Sequence, residues 1–328
     1  MSPRTALAMA PDAAAAVLDD DALAALGRVC DLVEGPVLDD FSTERARAVL
    51  REVEVLVTGW GCPPLDAAVL AGAPRLRAVV HTAGSVRAHV TEACWDRGIE
   101  VASAASANAL PVAEYTVAMI LLTGKRVLER ARHYRATRRR DEWLAGVGNF
   151  GRTVGILSAS MIGRRVIELL RPYDLQVLLH DPYVTDEALG VEAVSLGELF
   201  ARCDVVSVHT PLLPETRGLV SRDLIAAMPR DAVLINTARG AVVDQDALAE
   251  AAVAGRIRAV VDVTDPEVLP PEHPLWDSDQ VLITPHLAGS QGNELRRLAE
   301  LAIAEVGRWA AGREFAHPVL REGLGRIA

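Results

Sequence analysis

An arginine and a histidine in this sequence lie just after short apolar segments that we predict to be β-strands. Arg239 comes just after Ala232–Asn236, and His286 just after Val281–Thr284. In α/β sheets, ligands bind outside the carboxyl ends of the strands. The planar guanidinium of arginine binds a carboxylate through two hydrogen bonds, and histidine, with an ordinary pKa near ~6.5, gives and takes protons. Taken alone, however, a surface arginine is more typically a solvated charge, and a histidine at a strand end can be purely structural.

The segment Ser158–Gly163 has the position of a dinucleotide-binding fingerprint. It follows a predicted strand and precedes a helix, and Asp181 ends the next strand, where the fingerprint has an acid that binds the adenosine ribose. Ser158 and Ser160 stand in place of the first two glycines, and only Gly163 is retained. A serine forced to positive φ costs roughly 1–2 kcal/mol. By itself the segment is also compatible with an ordinary strand-to-helix turn.

From Gly151 onward, short β-branched segments alternate with helical patterns. Ser195 and Glu198 form a capping box, and Ser221 and Asp244 can cap the two helices that follow. This alternation predicts a doubly wound, mostly parallel sheet with helices on both faces. The predicted strands are Thr153–Leu157, Val177–His180, Val205–His209, Ala232–Asn236, Ala259–Val263 and Val281–Thr284.

The N-terminal part of the chain has a second, smaller α/β pattern. The predicted strands there lie near Thr5–Ala10 and at Val53–Thr58, Arg77–His81 and Glu100–Ala102, and the predicted helices are Thr43–Val49 and Pro64–Leu70. Val112–Leu122 is apolar on nearly every face and is predicted to be a buried connecting helix. Because Glu294–Ala310 has helical apolar spacing, it can return the chain to the first domain. We therefore predict two Rossmann-like domains, with residues 113–289 inserted into a discontinuous, flavodoxin-like domain of residues 1–112 and 290–328.

Composition excludes several classes of function. The 328 residues carry a formal net charge of −10, which disfavours binding to nucleic acid or to an anionic membrane. The sequence has no stretch of about 18 uncharged apolar residues, so no membrane span is predicted. Four scattered cysteines (Cys30, Cys62, Cys94 and Cys203) have no metal-ligand spacing, so no metal site is predicted. We expect a reduced, cytoplasmic protein.

Four segments, in their order and spacing over residues 108–290, resemble the NAD-dependent D-2-hydroxyacid dehydrogenase family, which includes phosphoglycerate dehydrogenases and glyoxylate reductases. They are His209–Thr216, Ile235–Gly240, Asp262–Glu267 and Thr284–Gly289. The resemblance implies an oxidoreductase that transfers a hydride between NAD(H) and a small 2-keto acid or D-2-hydroxy acid. It also implies that the inserted domain binds the dinucleotide and the outer domain binds substrate.

The same resemblance assigns three catalytic residues. Arg239 would bind the substrate carboxylate and polarise the keto oxygen. His286 would be the general acid for reduction, and Glu267 would orient its ring. Glutamate at this position argues against the formate dehydrogenase branch, which has glutamine there.

Cofactor and substrate contacts are implied in the same way. Asp181 favours NAD over NADP because its carboxylate would repel a 2′-phosphate, and Asp262 would accept a hydrogen bond from the nicotinamide amide. The implied cofactor-binding residues are Ser160, Met161, Ile162, Asp181, Thr210, Pro211, Thr237, Ala238 and Asp262; the implied substrate-binding residues are Trp60, Ala83, Gly84 and Arg239. Trp60 could equally be a packed core residue, and histidines 81, 89, 133, 273 and 317 show no partner pattern.

A basic segment with aromatic residues suggests an interaction surface. It contains Arg130, Arg132, Tyr134, Arg135, Arg138, Arg139, Arg140 and Trp143. Such a cluster can bind nucleic acid, but the acidic chain disfavours this reading. In the family this region is an arm that crosses to the partner subunit, so the resemblance implies a homodimer.

A second hypothesis stays open. The chain could be a catalytically weakened family member that serves as an NAD(H) sensor or a protein-binding scaffold, as the C-terminal binding corepressors do. Ser158 and Ser160 favour this hypothesis, whereas Arg239, Glu267 and His286 oppose it.

Overall fold

The computed structural model describes residues 2–140, 146–184 and 189–326. Among these residues the chain forms two compact units. The first contains the described residues up to Ala109 and those from Ser290 onward, and the second runs from Leu110 to Gly289. Trp143 of the basic segment lies outside the described residues.

In the first unit, the described residues form a five-stranded parallel sheet. Its strands are β1 (Arg4–Ala8), β2 (Asp31–Leu32), β3 (Val55–Thr58), β4 (Ala78–His81) and β5 (Glu100–Ser103), in the order β2-β1-β3-β4-β5. Its helices are α1 (Pro11–Val17), α2 (Asp20–Val29), α3 (Glu44–Leu50), α4 (Ala67–Ala71), α5 (Glu92–Asp96), the start of α6 (Ala105–Gly124), and α12 (Leu295–Ala310). This is the flavodoxin-like strand order, which confirms the predicted fold class.

Both faces of this sheet are covered. Successive side chains of a strand point to opposite faces, so Leu56 packs into one core while Val55 and Val57 pack into the other. Helix α12 adds Leu298 and Ala302 to the second of these cores. The C-terminal helix therefore belongs to the first unit, as its apolar spacing predicts.

The segment after α12 runs back along this sheet. Glu305 is 1% exposed, and its carboxylate accepts hydrogen bonds from the backbone N–H of Ala316 and from the backbone and ring of His317. Further on, the N–H of Val319 donates to the carbonyl of Val101 on β5 at 2.7 Å. The segment therefore pairs with the edge strand of the sheet.

The described part of the second unit forms a seven-stranded parallel sheet, ordered β12-β11-β10-β9-β6-β7-β8. The strands are β6 (Thr153–Leu157), β7 (Gln176–His180), β8 (Glu192–Ala193), β9 (Val205–Val208), β10 (Val233–Asn236), β11 (Arg258–Val261) and β12 (Val281–Ile283). The helices are the rest of α6, α7 (Val127–Thr137), α8 (Met161–Leu170), α9 (Leu196–Arg202), α10 (Arg222–Ala227) and α11 (Gln245–Val253).

This second sheet is doubly wound, as predicted. Leu234 packs into one core, and its neighbours Val233 and Ile235 pack into the other. The direction of winding reverses between β6 and β9, and α/β proteins bind ligands at the carboxyl ends of the strands beside such a reversal. The predicted caps are also confirmed, including the capping box of Ser195 and Glu198 before α9.

Several elements differ from the prediction. Two strands were not predicted, β2 and β8, because each has only two residues and therefore shows no alternation. Four helices were not predicted either: α1, α2, α5 and α7. Helix α6 begins at Ala105 rather than Val112 and continues through Pro111. Proline has no N–H and usually ends or kinks a helix, but the prediction rested on the apolar residues from Val112 onward and did not extend to the first two turns.

Helix α6 is also less buried than predicted, since Glu114 is exposed. By length and composition alone, α6 could span a membrane. However, Ala113, Val117 and Ile120 pack into the hydrophobic core of the second unit. This packing is that of a core helix, which meets the same criteria.

Candidate active site

The turn that carries Arg239 is fixed by the side chain of Asn236, the last residue of β10. Asn236 Nδ2 donates to the carbonyl of Arg239 at 2.9 Å, and Asn236 Oδ1 accepts from the N–H of Ala238 at 3.0 Å. The half-buried Arg239 donates from Nη1 to the carbonyl of Ala238 at 2.5 Å. The strand end thus fixes the path of the backbone from which the guanidinium projects.

Gly240 brings this turn against the loop that follows β11. A Cβ on Gly240 would lie 2.1 Å from the carbonyl carbon of Thr264 and 2.5 Å from the nitrogen of Asp265. Any side chain there would have to push two backbone segments apart. A glycine is therefore required for this close approach.

Glu267 and His286 form a directly bonded pair. His286 Nδ1 lies 2.5 Å from Glu267 Oε1, and the side chains of His286 and Glu267 are 51% and 60% exposed, respectively. A carboxylate accepts only, so Nδ1 carries the proton in this bond, and Nε2 remains for a ligand. The two residues follow the adjacent strands β11 and β12, and Arg239 follows β10 beside them.

Asp262 lies at the end of β11 beneath the His286 loop. It is 2% exposed, and its carboxylate accepts from Thr284 Oγ1 at 2.6 Å, from the N–H of Leu287 at 2.9 Å and from the N–H of Ala288 at 3.0 Å. That Asp262 holds the backbone of the His286 loop was not predicted from the sequence. The contact of Asp262 with a nicotinamide amide stays a prediction.

The loop between β6 and α8 keeps the turn of a dinucleotide fingerprint despite its serines. Ser158 has φ +78°, and its hydroxyl lies 2.9 Å from Thr210 Oγ1. A Cβ on Gly163 would lie 2.1 Å from the carbonyl oxygen of Ser158, so the helix packs closely against the loop. Ser160 has an ordinary φ of −61° and caps α8. Of the two serines that replace glycines, only Ser158 therefore has a left-handed backbone conformation.

Two further features of this loop fit a dinucleotide. The first-turn amides of α8, at Met161 and Ile162, have no intrahelical partner, and a helix N-terminus attracts phosphate. The carboxylate of Asp181 accepts from the N–H of Ala159 and from the N–H of Tyr183, both at 2.8 Å. The predicted ribose-binding acid therefore lies directly against the predicted phosphate-binding loop.

The other predicted cofactor residues follow β9 and β10. Thr210 is buried, as are Thr237 and Ala238, and Pro211 is half-buried. Thr237 Oγ1 is directed to Thr116 on α6 at 3.3 Å.

The predicted substrate residues of the first unit follow β3 and β4. Trp60 is 43% exposed, so it is not a fully packed core residue. Ala83 is buried, whereas a Cβ on Gly84 would make ordinary van der Waals contact, 3.6 Å from Asn108 Nδ2.

A buried pair of histidines lies just below these loops. The hydroxyl of Thr58, the last residue of β3, is 3.0 Å from both His81 Nδ1 and His89 Nε2. Burial lowers the pKa of His81 to about 3, with the nearby His89 adding to the effect, and burial lowers the pKa of His89 to about 4. No partner could be predicted for these histidines, because the bridging threonine is distant along the chain.

Residues 117–288 match the family model described as D-isomer specific 2-hydroxyacid dehydrogenase, NAD binding domain. The chain belongs to the D-isomer specific 2-hydroxyacid dehydrogenase family. The predicted family resemblance is thereby confirmed, and the residues that match the NAD-binding-domain model lie within the second unit.

The chain is also similar to individual proteins over most of its length. The chain is 32% identical to a D-3-phosphoglycerate dehydrogenase of Mycobacterium tuberculosis over 311 residues, which are 93% of this chain and 57% of that protein. It thus spans little more than half the length of that relative. It is also 32% identical to a glyoxylate reductase of Thermofilum pendens, with 88% of each chain covered. Among solved structures, the TT0316 protein of Thermus thermophilus is 31% identical, with a TM-score of 0.78 and coverage of 97% of this chain and 100% of that one.

Proposed function

We propose that this protein is an NAD(H)-dependent dehydrogenase that interconverts a small 2-keto acid and the corresponding D-2-hydroxy acid. The observation that carries this proposal is the bond between His286 Nδ1 and Glu267 Oε1, at 2.5 Å. It supports a proton-transfer role for Nε2 in a chain of this family.

Each of the three residues has a distinct task in the proposed reaction. Arg239 binds the carboxylate of the keto acid and polarises its carbonyl. His286 delivers a proton from Nε2 to the carbonyl oxygen during reduction and takes it back during oxidation. Glu267 holds the ring and its tautomer through Nδ1.

The residues around Ser158 are suited to NAD(H). The amides at the start of α8 bind the pyrophosphate, and Asp181 binds the adenosine ribose and repels the 2′-phosphate of NADP(H). The bound cofactor supplies or accepts the hydride at the carbonyl carbon. Ser160, Met161, Ile162, Thr210, Pro211, Thr237, Ala238 and Asp262 stay the proposed cofactor contacts, and Trp60, Ala83 and Gly84 the proposed substrate contacts.

Calorimetric titration with NADH and with NADPH, followed by assays with 2-keto acids, tests this proposal. We expect micromolar NADH binding, much weaker NADPH binding, and reduction of at least one small 2-keto acid. Arg239→Ala should lower kcat/KM by at least about a hundredfold and leave NADH affinity within about threefold. The matched control is Arg222→Ala, which removes a surface arginine paired with Glu250 in the same unit. Equal loss of turnover and of NADH affinity in Arg239→Ala would contradict the role of Arg239.

The second hypothesis, an NAD(H) sensor or scaffold, is favoured by the left-handed Ser158, which departs from the glycine fingerprint. A sensor predicts NADH binding without turnover of any 2-keto acid, whereas a scaffold whose serine loop has disabled the site predicts no binding of NADH or NADPH. The same titration and assays therefore distinguish the two functions.

We propose further that the protein is a cytoplasmic homodimer. Every residue of α7 is at least partly exposed, including Tyr134 at 59%. An exposed helix that carries an aromatic side chain among arginines is suited to packing against a second copy of the chain. Sedimentation at two salt concentrations tests the assembly.

A further inference from the structure

The backbone of His286 is held in a sparsely populated conformation. Its φ is +51°, a left-handed value that is unfavourable for an L-residue with a side chain. Such a conformation persists only where the surrounding structure fixes it. The contacts of its loop must therefore supply that constraint.

Asp262 accepts hydrogen bonds from the backbone amides of three successive residues of this loop. The main-chain carbonyl of Asp262 accepts from the N–H of His286 at 3.0 Å. Its side-chain carboxylate accepts from the amides of Leu287 and Ala288. Because Asp262 is 2% exposed, these bonds lie in a low-dielectric environment, where they are stronger than in water.

A chain of two hydroxyls extends from this carboxylate. Val261 pairs with Ile283 across β11 and β12, so Asp262 and Thr284 are the next residues beyond the paired strand ends. Thr284 Oγ1 donates to Asp262 Oδ1 at 2.6 Å. A hydroxyl has one proton, so Tyr115, whose oxygen is 2.8 Å from Thr284 Oγ1, must donate in that contact. Burial, together with the negative charge of Asp262, raises the pKa of Tyr115, and its hydroxyl keeps this proton.

We propose that Tyr115 and Thr284 are positioning residues for His286. Their hydroxyls orient the Asp262 carboxylate, which holds the backbone of residues 286–288 and so keeps the His286 ring against Glu267. The chain of hydrogen bonds ties the loop after β12 to helix α6. The expected effect on turnover rests on the proposed dehydrogenase function, whereas the effect on the loop does not.

Variants that remove single hydroxyls test this proposal. In Thr284→Val we expect hydrogen–deuterium exchange of a peptide covering residues 285–289 to become at least about tenfold faster. Tyr115→Phe should give a smaller acceleration, and Thr284→Ser should restore wild-type exchange. In 2-keto acid reduction, Thr284→Val should lower kcat about ten- to a hundredfold, because displacements of about 1 Å have effects of that size. KM for the 2-keto acid should stay within about threefold.

Two matched controls make the same chemical changes elsewhere in the second unit. Thr123→Val removes the hydroxyl of a buried threonine that bonds only to carbonyls of its own helix. Tyr173→Phe removes a hydroxyl from a partly exposed tyrosine. Both should leave the exchange of residues 285–289 and kcat unchanged.

The outcomes separate this inference from the proposed function. Wild-type exchange in Thr284→Val, or equal acceleration in Thr123→Val, overturns the proposal. Faster exchange with unchanged kcat overturns the positioning role in catalysis. If the wild-type protein binds NADH but reduces no 2-keto acid, the proposed function fails, and the exchange measurements still decide whether the hydroxyl chain holds the loop.

Discussion

Ser158 Oγ lies 2.9 Å from Thr210 Oγ1, so a pair of hydroxyls joins the ends of β6 and β9 where the strand order reverses. Ser158 makes this contact from left-handed backbone, at φ +78°. The conformation costs roughly 1–2 kcal/mol, and a hydrogen bond typically contributes about 0.5–1.5 kcal/mol. The hydrogen bond between Ser158 and Thr210 therefore offsets much of the backbone strain at Ser158.

Substitutions at Ser158 separate these two effects. Ser158→Gly loses both the strain and the bond, so we expect the free energy of unfolding to change by less than about 1 kcal/mol. Ser158→Ala keeps the strain and loses the bond, so it should be destabilised by about 1 kcal/mol. Urea unfolding of both variants measures the difference. Equal stability of the two variants would show that backbone strain at this position is negligible.

Ser160→Gly should bind NADH several-fold more tightly, because glycine lets the backbone approach the pyrophosphate more closely. Replacing a serine cap by glycine costs only a few tenths of a kcal/mol. Calorimetry measures the NADH affinity. Ser195→Gly, which changes the capping serine of α9 in the same unit, is the matched control. Unchanged or weaker binding in Ser160→Gly would show that the loop has adapted to serine.

Glu267→Gln and Glu267→Ala should differ in activity. Glutamine keeps an acceptor for His286 Nδ1 at nearly the same position, whereas alanine removes it and frees the ring. We expect Glu267→Ala to lose about ten- to a hundredfold in kcat, as expected for misplaced catalytic groups, and Glu267→Gln to lose less. Steady-state kinetics at fixed pH measures kcat of both variants and shows which one loses more. Higher activity in Glu267→Ala would contradict the orienting role.

Acid should destabilise the first unit through its buried histidines. The pKa values of His81 and His89 fall to about 3 and about 4 in the folded protein, against about 6.5 in the unfolded chain. Below about pH 6.5 the unfolded chain therefore binds protons that the folded protein does not. The stabilisation is fully present above about pH 6.5 and declines towards pH 4, by up to about 1.4 kcal/mol per pH unit for each histidine.

Urea unfolding at several pH values between about 4 and 7.5 measures this slope. His89→Gln should flatten the dependence of unfolding free energy on pH. The same slope in His89→Gln and in wild type would mean that His89 is not held neutral in the folded protein.

The fold could be predicted largely because its signals are local. The strands of the second unit are short β-branched segments, and the caps at Ser195, Ser221 and Asp244 are complete within four residues of sequence. By contrast, α7 has no buried face, and β2 and β8 have only two residues each. Neither kind of element has the periodicity on which such predictions depend.

The candidate site was predicted only as residue types at strand ends. The pairing of Glu267 with His286 followed from the family resemblance. The support beneath them did not, because Asp262 meets Thr284 through strand register, and Tyr115 reaches Thr284 from a helix far away along the chain. Contacts of this kind leave no pattern in a single sequence.

The pairing of Val319 with β5 has a consequence for self-association. The open edge of a sheet is a template onto which another chain can add a strand. Here the protein's own C-terminal segment, held by Glu305, occupies part of that edge. The opposite edge, β2, is only two residues long. The protein's own chain thus protects the first unit against aggregation by strand addition. Removal of the segment after α12 would expose the backbone hydrogen-bonding groups of β5 to pairing with another chain.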